Sequence, residues 1–312
     1  MRQRKLLLGL ALGLGLATLA MDTTAPSGGG PSPRTGLAAG VAARADPGSD
    51  AEPDPDTDAD PDAYAYAGPA AYADPKTYYG RGFDTCQAPS TDSMRRWLAS
   101  DYGAVGVYFG GRGRACADQK HLSRGWLQEV DEMGWGVLPV YVGSQSPCVV
   151  ARNKQHVRIG SDPWKQGTRE GGDAVEKARG LGIEPESPLY LDMESYRHER
   201  KGCARDTLSF VRAWNREVRS HGYVPGFYSS ANSGVRHMDQ ARRAGVRDLP
   251  SVMWFARWHT SPDLNGEPAL GRNAWQPNRR IHQYAGNVTE RHGGRTITID
   301  RNLVDAPVAT LD

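Results

Sequence analysis

The sequence has 312 residues, of which 24% are charged, and a formal net charge of +2. No apolar run after residue 20 approaches the roughly 20 residues that span a bilayer, which excludes a retained membrane helix. Residues 1–76 hold six Lys/Arg and ten Asp/Glu, which leaves 32 basic and 26 acidic residues and a net charge of +6 on the rest. A moderately basic domain suits an anionic polymer such as a bacterial cell wall.

The first 76 residues divide into a leader and a linker. Residues 1–20 place three basic side chains before an apolar run that ends in small residues, which is typical of a secretory signal peptide. Residues 21–76 are rich in Ala, Asp and Pro and cannot bury enough apolar surface to fold, so we interpret them as a disordered spacer. The first cysteine is Cys86, too late for a lipid anchor. We expect a secreted, extracellular or wall-associated monomer.

Eight β-like runs alternate with helical patterns across residues 77–312. The runs are Tyr79 to Thr85, Ala104 to Gly110, Gly136 to Val142, Leu189 to Glu194, Val224 to Ser230, Met253 to Trp258, Arg280 to Ala285 and Thr296 to Val304. Alternation of strand and helix predicts a parallel sheet, and eight strands over this length match a (β/α)8 barrel. No sustained apolar period follows residue 245, so we expect an irregular TIM-type barrel with short or missing helices in its last third.

Acidic residues stand at the ends of three predicted strands. They are Asp84, the pair Asp192 and Glu194, and Asp300. Active sites of such barrels lie at the carboxyl ends of the strands, so we predict that these four acids form the catalytic centre.

Asp192 and Glu194 are two residues apart on a strand, so both side chains leave one face and Met193 leaves the other. Burial and like charge raise the pKa of one carboxyl, and an acid beside a base is what glycosidic bond cleavage requires. We assign Glu194 as the general acid. Asp192 either orients Glu194 or holds the acetamido group of an N-acetylated sugar. A solvated strand end with two structural acids is the alternative.

Aromatic and polar residues near these strand ends are typical of a sugar site, because sugar rings stack on Trp and Tyr. Packing in the core is the alternative for each aromatic residue. His282 and Gln283 alternate faces, so one of them lines the mouth. Arg257 either donates to the sugar or pairs with Asp192 or Asp300. The predicted substrate-binding residues are Tyr108, Tyr141, Tyr228, Trp254, Arg257, Trp258, Gln283 and Tyr284.

Four cysteines in an exported domain indicate two disulfides, with three connectivities open to them. Barrel order places Cys86 and Cys116 in loops after strands one and two, and Cys148 and Cys203 in loops after strands three and four. We predict Cys86 with Cys116 and Cys148 with Cys203.

The sequence has no zinc-ligand spacing, phosphate-binding loop, dinucleotide fingerprint, serine-hydrolase elbow or RNA motif, so we expect no metal, cofactor or nucleic acid. Two alternatives to a glycosidase stay open. One is a glycan-binding barrel without turnover, which would bind sugar and release no product. The other is a metal-dependent phosphodiester hydrolase, which a chelator would inhibit.

The motifs GFDTCQAPS, LYLDMES, GFYSS, MWFARW, IHQYA and TIDRNLVD resemble, in order and spacing, those of the lysozyme-like family-25 glycoside hydrolases. Residues 78–309 resemble more closely the glycoside-hydrolase-like family labelled domain of unknown function 1906, found in exported actinobacterial proteins. The resemblance implies a barrel with few late helices and a groove where Asp84, Asp192, Glu194 and Asp300 meet. The lysozyme-like relatives cleave peptidoglycan between N-acetylmuramic acid and N-acetylglucosamine. The loops GVYFGGRGRAC and GSQSPC depart from that pattern and are expected to reshape the groove.

Overall fold

A computed structural model describes residues 75–312. The predicted leader and nearly all of the predicted linker lie outside the described residues. The strands are β1 (Thr77–Asp84), β2 (Tyr102–Gly110), β3 (Gly136–Tyr141), β4 (Pro188–Asp192), β5 (Val224–Ser230), β6 (Val252–Ala256), β7 (Arg280–His292) and β8 (Arg295–Pro307). The helices are α1 (Thr91–Trp97), α2 (Arg124–Glu132), α3 (Pro163–Gly180), α4 (Lys201–Ser220) and α5 (Arg236–Arg243).

The eight strands close into one barrel in chain order, which confirms the predicted fold. Strands β1 to β7 run parallel, but β8 is antiparallel to both of its neighbours, so the expectation of an all-parallel sheet is wrong. Only Gly293 and Gly294 join β7 to β8, which leaves no room for a crossover helix. Both glycines have positive φ, as a two-residue hairpin turn requires.

Alternation along the strands separates two apolar layers. One cluster contains strand residues such as Val140, Tyr190 and Trp254, contains no helix residue and fills the barrel interior. The other joins the outward strand faces to the helices and includes Leu191 and Met193. The predicted outward direction of Met193 is therefore confirmed, and Asp192 belongs to the inward set.

Each of the first three helices begins at a side chain that accepts a hydrogen bond from a free backbone N–H of the first turn. Ser90 and Ser123 accept hydrogen bonds from the first turns of α1 and α2. Asp162 does the same for α3, which has Pro163 at its first position. None of the helices within residues 75–312 combines the length and apolar character needed to span a membrane.

Helices in the last third of the barrel are short or missing, as predicted: α5 has eight residues, and no helix stands between β6 and β7. A loop takes that place and is organised around buried Arg280, whose guanidinium donates to the carbonyls of Leu264, Gly271 and Ala274 at 2.7–2.8 Å. A segment that packs on a buried guanidinium needs no apolar period, which explains the missing helical pattern.

Candidate active site

The four predicted acids meet at the carboxyl-terminal mouth of the barrel. Asp84 and Asp192 are the last residues of β1 and β4, Glu194 follows two residues later, and Asp300 lies on β8. All four line one groove with a volume of about 840 Å³. Because β8 runs antiparallel to its neighbours, its N-terminal half lies at this mouth of the barrel, where residues 296–299 form one wall of the groove.

Asp84 lies deepest and has three hydrogen-bond donors. Its carboxylate accepts from Tyr108 Oη at 2.7 Å, Asn302 Nδ2 at 2.8 Å and Gln283 Nε2 at 3.0 Å. Burial raises the pKa of Asp84, and these hydrogen bonds oppose the rise. Asp84 is thus held by its neighbours. Asn302 was not predicted from the sequence, although it stands two residues after Asp300 and so shares its face of β8.

Asp192 is buried at the base of the same groove. Its side-chain Oδ1 has no hydrogen-bond partner among residues 75–312. Burial, reinforced by the charge of Glu194, raises the pKa of Asp192 well above its ordinary value, while Lys154 opposes the rise. Both burial and the charge of Glu194 favour the neutral form of Asp192.

Glu194 is the accessible member of the pair, with 36% of its side chain exposed. Gln145 connects the two acids: its Nε2 donates to the Asp192 carbonyl at 2.9 Å, and its Oε1 accepts from the Glu194 backbone nitrogen at 2.8 Å. Lys154 Nζ lies 3.7 Å from Glu194 Oε1 and donates to the Gly113 carbonyl at 2.8 Å. Sequence reasoning missed both residues: Gln145 lies in the loop after β3, and Lys154 lies in a short 3-10 helix, Arg152–Val157, which has no clear apolar pattern.

Asp300 occupies the opposite wall of the groove. Its Oδ1 accepts from the Asn287 backbone nitrogen at 2.6 Å, and Gln283 Nε2 lies 3.5 Å from its Oδ2. Burial, followed by the charge of Asp84, raises the pKa of Asp300 to about 7. This carboxyl therefore changes charge in the physiological range.

Gln283 connects the predicted aromatic residues to the acids. Its Oε1 accepts from Tyr228 Oη and Trp258 Nε1, both at 2.9 Å, while its amide nitrogen faces Asp84. Trp258 is 39% exposed. With Tyr228, it lines a smaller cavity of about 260 Å³, and Glu194 lines both this cavity and the main groove.

Trp254 lies beneath the site instead of in it. It is buried, its Nε1 donates to Asn302 Oδ1 at 2.8 Å, and its ring meets Tyr228 edge-on. Trp254 therefore supports the hydrogen bonds around Asp84, and its ring is not available to stack on a sugar.

Three further predicted site residues line neither the groove nor the smaller cavity. Tyr141 points outward and donates from its Oη to Asp173 on α3 at 2.7 Å. Tyr284 packs edge-on against outward-facing His282 and lines neither cavity. Arg257 binds Glu267 through two nitrogens at 2.6 Å, so the expected pairing with Asp192 or Asp300 is wrong.

Both disulfides form with the predicted pairing, Cys86 with Cys116 and Cys148 with Cys203. Cys203 lies in the first turn of α4 and not in a loop. The first disulfide lines the groove and joins the segments after β1 and β2. Across residues 75–312, no group of three His, Cys, Asp or Glu side chains is arranged to hold a metal ion.

The molecule is thus a closed β/α barrel with a cluster of carboxyl groups at the carboxyl-terminal mouth. The family model described as "Rv2525c-like, glycoside hydrolase-like domain" matches residues 95–304, and the chain belongs to this family. No curated protein matches the chain.

Solved structures share the fold at low sequence identity. The Tat-secreted protein Rv2525c of Mycobacterium tuberculosis, crystallised with L-tartrate, is 16% identical, with a TM-score of 0.51 over 73% of this chain and 96% of that chain. An uncharacterized B. stearothermophilus protein is 19% identical, with a TM-score of 0.48 over 72% and 95%. The modular autolysin LytC of Streptococcus pneumoniae is 13% identical, with a TM-score of 0.46 over 72% and 46%.

Proposed function

We propose that this protein is an exported glycosidase that hydrolyses O-glycosidic bonds of peptidoglycan or another extracellular polysaccharide. Glu194 is the general acid and Asp192 is its partner. The observation that carries the proposal is the position of Glu194, an accessible carboxyl with a cavity on each side and buried Asp192 beside it. A sugar chain that follows both cavities passes its glycosidic oxygen over this carboxyl.

In the proposed reaction, Glu194 gives its proton to the leaving glycosidic oxygen as the bond to the anomeric carbon breaks. Water then adds to that carbon, and the Glu194 carboxylate takes the proton that the water releases. The Asp192 carboxyl, which lines the groove, accepts a hydrogen bond from an acetamido N–H on the reacting sugar. That contact fixes the sugar relative to Glu194.

The groove and the smaller cavity together offer separate groups for the faces and the hydroxyls of a sugar. The exposed ring of Trp258 provides an apolar surface for stacking. The polar neighbours of the bound chain are Tyr108, whose hydroxyl donates to Asp84, and Asn287 on the opposite wall of the groove. This combination of one stacking ring and many fixed polar groups suits a carbohydrate.

Export is part of the proposal because residues 1–20 have the pattern of a signal peptide and the domain carries two disulfides. The mature chain is expected in the culture medium or on the wall without its leader. Intact mass of the recovered protein measures this directly, and a mass that retains residues 1–20 contradicts it.

The test of function is reducing-sugar release from purified peptidoglycan and a panel of neutral and acidic polysaccharides. We expect Glu194→Gln to lower release by about 100-fold or more, because the amide cannot donate the proton. Glu199→Gln, an exposed acid five residues later, is the matched control and keeps the wild-type rate.

Other outcomes decide against the proposal. Equal rates for Glu194→Gln and the wild type remove Glu194 from the mechanism. Binding of a glycan by the wild type with no release from any substrate identifies a glycan-binding barrel instead of an enzyme.

A further inference from the structure

A second cavity, of about 690 Å³, lies beside the groove between the loop after β2 and helix α3. Five basic side chains line it: Arg112, Arg114, Arg158, Arg169 and Lys177. Two acids, Glu170 and Asp173, line it as well. The cavity therefore has an excess of positive charge in its lining.

Both acids are already neutralised. Glu170 is buried, accepts from the Ser144 backbone nitrogen at 2.7 Å and lies 3.6 Å from Arg112 Nε. Asp173 accepts from Tyr141 Oη and forms an ion pair with Lys177. The positive charges of Arg112 and Lys177 thus balance the negative charges of the two carboxylates.

Three guanidinium groups remain without a counter-charge. In residues 75–312, no carboxylate lies within ion-pair distance of Arg114, Arg158 or Arg169. Arg114 is nevertheless held in place, because its Nε and Nη1 donate to the carbonyls of Gly111 and Tyr108 at 3.2 and 3.3 Å. These carbonyls orient Arg114 without cancelling its charge.

Arg114 also lines the acidic groove, so the groove and this basic cavity share one side chain. We propose that the basic cavity binds an oxyanion, a carboxylate or a phosphate, carried by the same glycan whose backbone occupies the groove. Guanidinium groups match the geometry and charge of such anions through paired N–H donors. The inference rests on the proposed function and narrows the substrate class to an acidic glycan.

The test measures binding to the full chain by titration calorimetry, so that it does not depend on turnover. The probes are oligogalacturonate for carboxylate, poly(glycerol phosphate) for phosphate, and a neutral N-acetylglucosamine oligomer. The double variant Arg158→Gln/Arg169→Gln removes two free guanidinium groups. Its matched control, Arg95→Gln/Arg247→Gln, removes two exposed arginines that lie outside the cavity.

We expect the cavity variant to bind one of the anionic probes about tenfold more weakly than the wild type, and the neutral oligomer unchanged. The control variant keeps the wild-type affinity for all three. Which anionic probe responds identifies the source of the oxyanion, and its affinity falls as salt rises.

Equal losses in the cavity and control variants, or no anion binding at all, overturn the inference and leave the glycosidase proposal standing. Anion binding that depends on Arg158 and Arg169, without hydrolysis of any polysaccharide, supports the cavity and removes the enzyme assignment. The two failures are therefore distinguishable.

Discussion

The neighbouring carboxyl groups of the site differ in the number of hydrogen bonds that they accept. Asp84 has three donors, whereas Asp192 keeps one oxygen without a partner. The hydrogen bonds to Asp84 fix its carboxyl in the site, whereas the carboxyl of Asp192 lines the groove without such a set of donors.

Asp300 provides a pH-dependent prediction of stability. Its pKa is about 7 in the folded chain and 3.8 as the ordinary value, so the folded state holds the proton more tightly between these limits. Its contribution to the free energy of unfolding therefore falls as pH rises from about 4 to 7. Asp300→Asn removes this penalty, which is on the order of a few kcal/mol.

Urea unfolding of the wild type and Asp300→Asn at pH 4 and pH 8 measures the difference. The variant is expected to gain stability relative to the wild type at pH 8 and not at pH 4. An offset that is the same at both pH values contradicts the assigned environment of Asp300.

Helices α3 and α4 approach closely through a glycine. A Cβ at Gly167 would lie 2.3 Å from the Phe210 carbonyl oxygen and 3.0 Å from Ala213 Cβ. A Cβ at Gly172, in the same helix, would meet only Glu217 Oε1 at 3.7 Å. Both glycines lie in α3, but only Gly167 is closely packed against α4. Substitutions at the two positions therefore separate the effect of helix propensity from the effect of close packing.

Gly167→Ala is expected to lower the free energy of unfolding by about 1–3 kcal/mol, because α4 must move away. Gly172→Ala is expected to raise it by about 0.5–1 kcal/mol, since alanine favours the helix. Thermal and urea unfolding of both variants check the signs. Similar effects at the two positions would show that the helices are not in close contact at Gly167.

The two disulfides act on the stability of the whole domain. They join residues 30 and 55 positions apart and so constrain the unfolded chain. Each pairing connects segments that follow neighbouring strands, and the first also borders the groove. A domain with these cross-links does not depend on its apolar core alone for its stability.

Replacing Cys148 and Cys203 with Ser is expected to cost about 4 kcal/mol of unfolding free energy by the chain-entropy argument, and replacing Cys86 and Cys116 slightly less. Urea unfolding of each double variant measures the loss. As a control, dithiothreitol lowers the midpoint of the wild type and leaves a variant without cysteines unchanged. A wild-type midpoint insensitive to dithiothreitol argues against either bond contributing.

Strand positions, barrel closure order, the positions of the four acids and both cysteine pairings followed from local pattern and chain order. The antiparallel direction of β8 also had a local signal, the Gly293 and Gly294 turn, which the predicted strand and helix alternation obscured. Boundaries shifted by a few residues, which moved Glu194 and Trp258 just beyond their strands.

Only the tertiary structure decided which face each side chain takes and which distant groups meet. Every residue of β3 is buried, so no polar alternation distinguishes inward Val140 from outward Tyr141. The donors to Asp84 from Gln283 and Asn302 come from 199 and 218 residues away. Sequence by itself determines the periodicity of a strand and the chemistry of its ends, because both are local. Partners across a closed barrel depend on register and loop path, which exist only once the chain has folded.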